Sequence, residues 1–223
     1  MGSITRSFAN NITTLGVLLP ASLTNNSIAN VTAYNAAVAT GGMVLLSTQT
    51  ASNSASISFT TGISSTYKEY QFWFVDIHPR TNAVNFTFNL STDSGSNYNV
   101  TKTSSFFNAY QREAGDSSGL EYNGDTDLAQ STAFQPITQA YLTMINDADS
   151  IVAGSMSLFN PASTTYVKHF IATSNHMSIS GPPPWSVNNF LAGYGNTTSA
   201  VNAVQFKMSS GNFDGTILLY GIV

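Results

Sequence analysis

Tyr70-Gln71-Phe72-Trp73-Phe74-Val75-Asp76-Ile77-His78-Pro79 is the stretch on which the fold class turns. At a period of two, Tyr70, Phe72 and Phe74 share one face, and Trp73, Val75 and Ile77 share the other. That pattern predicts a strand with apolar residues on both sides, covered on both faces as a central strand, and ended by Pro79. After the turn residues Arg80-Thr81-Asn82, the alternation resumes with Phe86, Phe88 and Leu90, which predicts a hairpin-like pair. Working outward, Met43 to Thr48 reads as a short buried run, and Ala55, Ile57 and Phe59 alternate with hydroxyl residues. Gly154 to Phe159 leads through Asn160-Pro161-Ala162-Ser163 into a returning run from Tyr166 to Thr173. Phe190 to Tyr194, Val204 to Met208 and Thr216 to Ile222 complete about nine strands, with Ser209 to Gly215 as the last turn. Helical periodicity is nearly absent.

The expectation is an all-β, antiparallel β-sandwich, jelly-roll-like, with two related Greek-key halves. Residues 1–40 are polar and weakly periodic apart from an apolar cluster at Leu15 to Pro20, so they read as an extended N-terminal arm. Residues 41–223 read as a single β-sandwich domain. Within the arm, Arg6, Phe8, Leu15, Leu18 and Leu19 are the residues expected to make assembly contacts. Residues 108–150 hold Ala114-Gly115-Asp116-Ser117-Ser118-Gly119 and many of the acidic side chains, and read as a loop-rich, exposed face.

Composition narrows the function. Only 8% of the 223 residues are charged and the formal net charge is −4, against about 25% charged in an ordinary soluble domain. Ser, Thr and Asn supply the polarity instead. A surface of that kind has little charge repulsion to keep copies apart, so self-association is easier than for a normally charged monomer. With no extended positive field, nucleic acid is not expected as a partner. No apolar window has the length of a membrane helix, so membrane insertion is not expected. Met1 to Ser7 leads into Asn10-Asn11 instead of an apolar leader core. Cysteine is absent, which removes disulfides, thiol nucleophiles and Cys-based metal sites together.

Catalytic signatures are missing. There is no Gly-x-Ser-x-Gly elbow, phosphate loop or dinucleotide fingerprint. His78, His169 and His176 have no second ligand at a metal spacing and read as structural imidazoles. No cofactor and no catalytic residue is expected. The best metal candidate is Glu121, Asn123, Asp125 and Asp127, whose spacing by two could offer hard oxygens to calcium, although their order is not that of an EF-hand loop. As solvated loop carboxylates they would be unremarkable. For sugar binding, Trp185 follows Gly181-Pro182-Pro183-Pro184, a run that presets an extended polyproline loop. Its indole is either displayed as a platform or folded back to plug the end of the sandwich. Tyr110, Tyr122 and Tyr141 in the loop-rich region are further aromatic candidates.

Several stretches carry a resemblance when taken together: Thr5 to Ile12, Ser65 to Tyr70 leading to Ile77-His78-Pro79, Phe159-Asn160-Pro161 with Thr164 to Phe170, and the ending Gln205 to Ile222. In these the chain resembles virion structural proteins encoded by marine tailed bacteriophages, over nearly its whole length. The resemblance implies a non-enzymatic particle component located in the virion and assembled in the cytoplasm of the host bacterium. It favours a capsid decoration or cement protein, with a receptor-binding tail or head-fibre tip recognising a host surface glycan as the alternative. It implies the major capsid or tail protein as partner and a homo-oligomer, a trimer by preference.

Overall fold

The computed structural model describes residues 42–179 and 181–223. They form twelve strands and no helix: β1 (Met43–Ser54), β2 (Ile57–Phe59), β3 (Glu69–Pro79), β4 (Phe86–Ser91), β5 (Lys102–Arg112), β6 (Ser118–Tyr122), β7 (Gln135–Pro136), β8 (Val152–Phe159), β9 (Lys168–Ser178), β10 (Trp185–Gly195), β11 (Ala203–Met208) and β12 (Phe213–Ile222). The assembly-arm residues Arg6, Phe8, Leu15, Leu18 and Leu19 lie outside the described residues.

Two antiparallel sheets pack as a sandwich. The larger has the order β1-β12-β3-β8-β9-β10-β5-β6 and the smaller β2-β11-β4-β7. Chain connections β1→β2, β3→β4, β7→β8 and β11→β12 each pass from one sheet to the other. The orders β1-β12-β3-β8 and β2-β11-β4-β7 are therefore two rolled-up Greek keys, the jelly-roll arrangement. Four further strands, β9, β10, β5 and β6, extend the larger sheet beyond that roll.

This topology corrects the hairpin expected from Tyr70 to Leu90. β3 pairs with β12 and β8, and β4 pairs with β11 and β7 in the opposite sheet. β8 and β9 do form a same-sheet hairpin, with Leu158 opposite Phe170. The two expected halves are thus unlike: one module crosses the sandwich and the other folds back beside itself.

Packing explains the crossing. Phe206 on β11 lies 5.1 Å from Phe72, 5.3 Å from Phe74 and 5.8 Å from Phe86, centroid to centroid, and all four rings are buried. Burying such rings is worth about 1.5–3 kcal/mol each, and β3 and β4 still find ladder partners within their own sheets, so the crossing gives up no strand pairing. β3 is central within its sheet but covered on one face only, since Trp73 and Val75 are 42% and 41% exposed. Ile77 leaves that outer face and is buried, because a bulge intervenes. Asp76 has φ 52°, the register slips between Phe74 and Ile77, and Gly215 opposite has φ 126°. A Cβ on Gly215 would stand 2.5 Å from the Asp76 carbonyl oxygen, so glycine is what lets β12 approach the bulge.

Residues 108–150 are loop-rich and present many exposed side chains, as expected, and they also carry strands and a buried side. β5 and β6 occupy the first part, and 123–150 packs over the inner face of the sheet extension, with Ile137, Met144, Gln135, Thr138, Gln139 and Ser150 buried. Inward side chains of the strands hold this cover by its backbone. Ser174 Oγ donates to the Ile137 carbonyl at 3.1 Å and Ser178 Oγ to that of Thr143 at 2.8 Å; His176 Nε2 bonds the Leu142 carbonyl at 2.7 Å. An extension without a partner sheet needs such a cover, because its inner backbone and side-chain polar groups would otherwise be buried unpaired.

Candidate functional site

Two features of the described residues have the form of recognition surfaces. One is a cavity of about 230 Å³ lined by Tyr110, Glu121, Gln139, Tyr141, Leu142 and Trp185. It joins residues that the sequence placed in separate categories. β5 and β10 set Val187 opposite Tyr110 and Trp185 opposite Arg112, and β6 sets Gly119 opposite Tyr110. The Tyr110 and Trp185 rings meet edge to face, 5.5 Å apart at 72°. Arg112 Cζ stands 5.4 Å from the indole centroid, and its guanidinium is anchored by Asp116 at 2.9 Å and the Pro182 carbonyl at 3.0 Å. Gly119 is permissive here, since a Cβ would lie 2.7 Å from the Tyr110 hydroxyl.

The covering segment closes the other side. Gln139 is buried, its Nε2 donates to Glu121 Oε1 at 3.4 Å, and its Oε1 accepts the Leu142 N–H. Tyr141 is exposed, and the Trp185 indole N–H is buried without an acceptor among the described residues. Trp185 is therefore half-buried and buttressed, between the platform and plug expected for it. The proline run before it contains a cis Pro182–Pro183 peptide.

The remaining sequence-derived candidates disperse. Tyr122 points to the opposite face of β6 from Glu121, is exposed, and donates its hydroxyl to Asp127. That bond holds its phenol above the usual range. Asn123 is buried and its Oδ1 accepts the Thr126 hydroxyl at 2.8 Å, while Asp125 is solvent-exposed. Glu121, Asn123, Asp125 and Asp127 thus serve a turn and the cavity wall separately, and no group of three or more His, Cys, Asp or Glu side chains among the described residues is placed to hold a metal ion. His176 is fully buried between Asn189 Nδ2 at 3.0 Å and the Leu142 carbonyl, and loss of solvent depresses its pKa to about 4. His78 bonds the Asp147 carbonyl at 2.9 Å; His169 is exposed, 5.8 Å from the Tyr194 ring.

The second feature is the outer face of the large sheet. One register row runs across all eight strands: Thr48, Leu218, Trp73, Ser155, Thr173, Phe190, Phe107 and Tyr122. Phe107 and Phe190 stack at 4.8 Å and 10°, and Trp73 lies 5.4 Å from Tyr220. Phe107, Leu120, Tyr122 and Ile171 are 42%, 70%, 64% and 53% exposed. A trough of about 570 Å³ crosses this face over Ser105, Ala192 and Gly193, walled by His169, Ile171 and Tyr194. Neither Gln139 nor the outer row was readable beforehand, because tertiary packing places the first and strand register the second. The chain matches no family model, no curated protein and no solved structure.

Proposed function

We propose that the chain is a non-enzymatic structural protein of a bacteriophage particle, a capsid decoration or cement domain that self-associates and lies on the particle surface. The observation that carries this reading is the outer face of the eight-stranded sheet. It bears Trp73, Phe107, Leu120, Tyr122 and Ile171 in contact with solvent, where a monomer would place polar or charged side chains. Eight strands about 4.8 Å apart and roughly 20 Å long present roughly 700 Å², close to the ~800 Å² per partner of a stable interface. A second copy of the chain is the occupant of that face. Charge opposes it only weakly, because 8% of the residues are charged and the formal net charge is −4.

The non-catalytic part of the reading is supported by how the buried titratable groups are used. Lys102 Nζ donates to Asn89 Oδ1 at 2.5 Å and the Val100 carbonyl at 2.8 Å, and Lys168 Nζ to the carbonyls of Ser163 and Tyr166, both at 2.6 Å. The fold itself consumes the hydrogen-bonding capacity of these two ammonium groups, which supports a structural use for them. In the particle, the major capsid or tail protein would be the partner. Immunogold microscopy of virions with an antibody to this chain tests the assignment. Regular label over the head is the expected outcome; label confined to the tail, or absent from particles, overturns it.

A further inference from the structure

We infer that the cavity bounded by Trp185, Tyr110, Tyr141, Glu121 and Gln139 is a binding site for one pyranose ring of a neutral saccharide. It is separate from the assembly face, because Tyr110 and Glu121 project from their strands to the side opposite Phe107 and Tyr122.

The chemistry of the lining selects the ligand class. Its volume of about 230 Å³ is below the usual range for drug-sized ligands and suits a single sugar ring. Three aromatic side chains give flat apolar surface against which the C–H face of a ring packs. The polar groups between them are of both kinds. The Glu121 carboxylate accepts, Gln139 Nε2 has a second hydrogen beyond the one shared with Glu121, and the Tyr110 and Tyr141 hydroxyls can do either. Only a ligand whose polar groups both donate and accept satisfies that set, and hydroxyls do so. A hydrocarbon would cover the Glu121 carboxylate and the tyrosine hydroxyls without pairing them, at a cost of about 1–3 kcal/mol for each such group. Anionic ligands meet the Glu121 charge. A cationic ligand meets Arg112, already 5.4 Å from the indole centroid and in the place such a cation would take.

The site is also built to hold its shape. Arg112 is tied at both ends, Gln139 is fixed through both its amide atoms, and Tyr110 lies across Gly119. Such preorganisation lowers the ordering cost of binding.

The test uses the full chain. It has two tryptophans, so Trp73→Phe leaves Trp185 as the sole indole reporter. Methyl β-D-glucopyranoside, methyl β-D-galactopyranoside and N-acetylglucosamine are titrated against its emission, with N-acetylneuraminic acid and tetramethylammonium chloride as charged probes. The expected result is a saturable change with at least one neutral sugar at a Kd on the order of 1 mM. In the same background Tyr141→Ala and Glu121→Gln should each weaken it at least about tenfold, equivalent to ~1.4 kcal/mol. Tyr141 is exposed, so its truncation leaves the fold intact, with far-UV circular dichroism as the check. The inference is overturned if no neutral sugar gives a saturable change, if both variants bind as the parent does, or if either charged probe binds as tightly as the sugars.

Discussion

Lys102 carries its ammonium into the sandwich with two oxygen acceptors and no carboxylate beside it, and burial pulls its pKa from 10.5 down to about 7. The sign of the consequence is fixed. Between pH 7 and 10.5 the unfolded chain binds more protons at this position than the folded one, so stability rises with pH across that window. Below pH 7 the full cost of burying the charge is present. Lys102→Met keeps most of the volume and removes the charge, and Asn89 Oδ1 retains the Leu90 N–H at 2.9 Å. Urea midpoints measured from about pH 6 to about pH 10 should climb more steeply in the parent than in the variant, where Lys168, also lowered by burial, keeps part of the dependence. An equal climb in both would show that Lys102 does not drive the dependence. His176 acts on the acid side with the same sign: its depressed value of about 4 against 6.5 means that stability is lost as pH falls through that interval.

Among elements, the bulge shared by β3 and β12 is the place where one side chain decides register. Gly215→Ala forces a Cβ to 2.5 Å from the Asp76 carbonyl at a φ that non-glycine residues rarely adopt. The expected loss is about 2 kcal/mol or more in urea unfolding, whereas Gly42→Ala, with nothing within 4 Å, should stay within about 0.5 kcal/mol. Equal midpoints for the two would remove the bulge from the account. The same contrast explains what could be read in advance. β3 announced itself because Tyr70, Phe72 and Phe74 recur at a period of two, and β9 because Phe170 and Ala172 alternate with exposed partners. β5 did not. Its inward set is Lys102, Ser104, Phe106, Asn108, Tyr110 and Arg112, and its outward set includes Phe107, so neither face is distinctly apolar. That polarity is possible because much of what lies under β5 is a hydrogen-bonding segment instead of an apolar sheet face; Ser104 Oγ, for example, accepts the Leu128 N–H at 2.9 Å. The cavity was half visible for a related reason. Trp185, Tyr110 and Glu121 stand out by residue type, but Glu121 pairs with Gln139 only through the path of 123–150 across the sheet.

At the scale of the whole sandwich, the distribution of charge and aromatic surface makes a claim about how copies meet. An interface built on Trp73, Phe107, Phe190 and Ile171 draws its energy from apolar burial, at about 25 cal/mol per Å² before the cost of lost freedom is subtracted. Ion pairs would behave otherwise, since salt screens them while apolar association is insensitive to screening or strengthened by excluded salts. Sedimentation velocity of the full chain should therefore show an oligomer that persists or tightens between about 0.01 M and about 1 M salt. Trp73→Lys with Phe107→Lys places two cations on that face, on strands β3 and β5. Like charges brought together on a dry interface oppose assembly, so the double variant should sediment as a monomer. Both positions face solvent in the single chain, so its unfolding midpoint should change little. Dissociation of the parent as salt rises would assign the contact to charges elsewhere. A parent that is monomeric at every concentration would leave the aromatic face without the partner that its exposure requires.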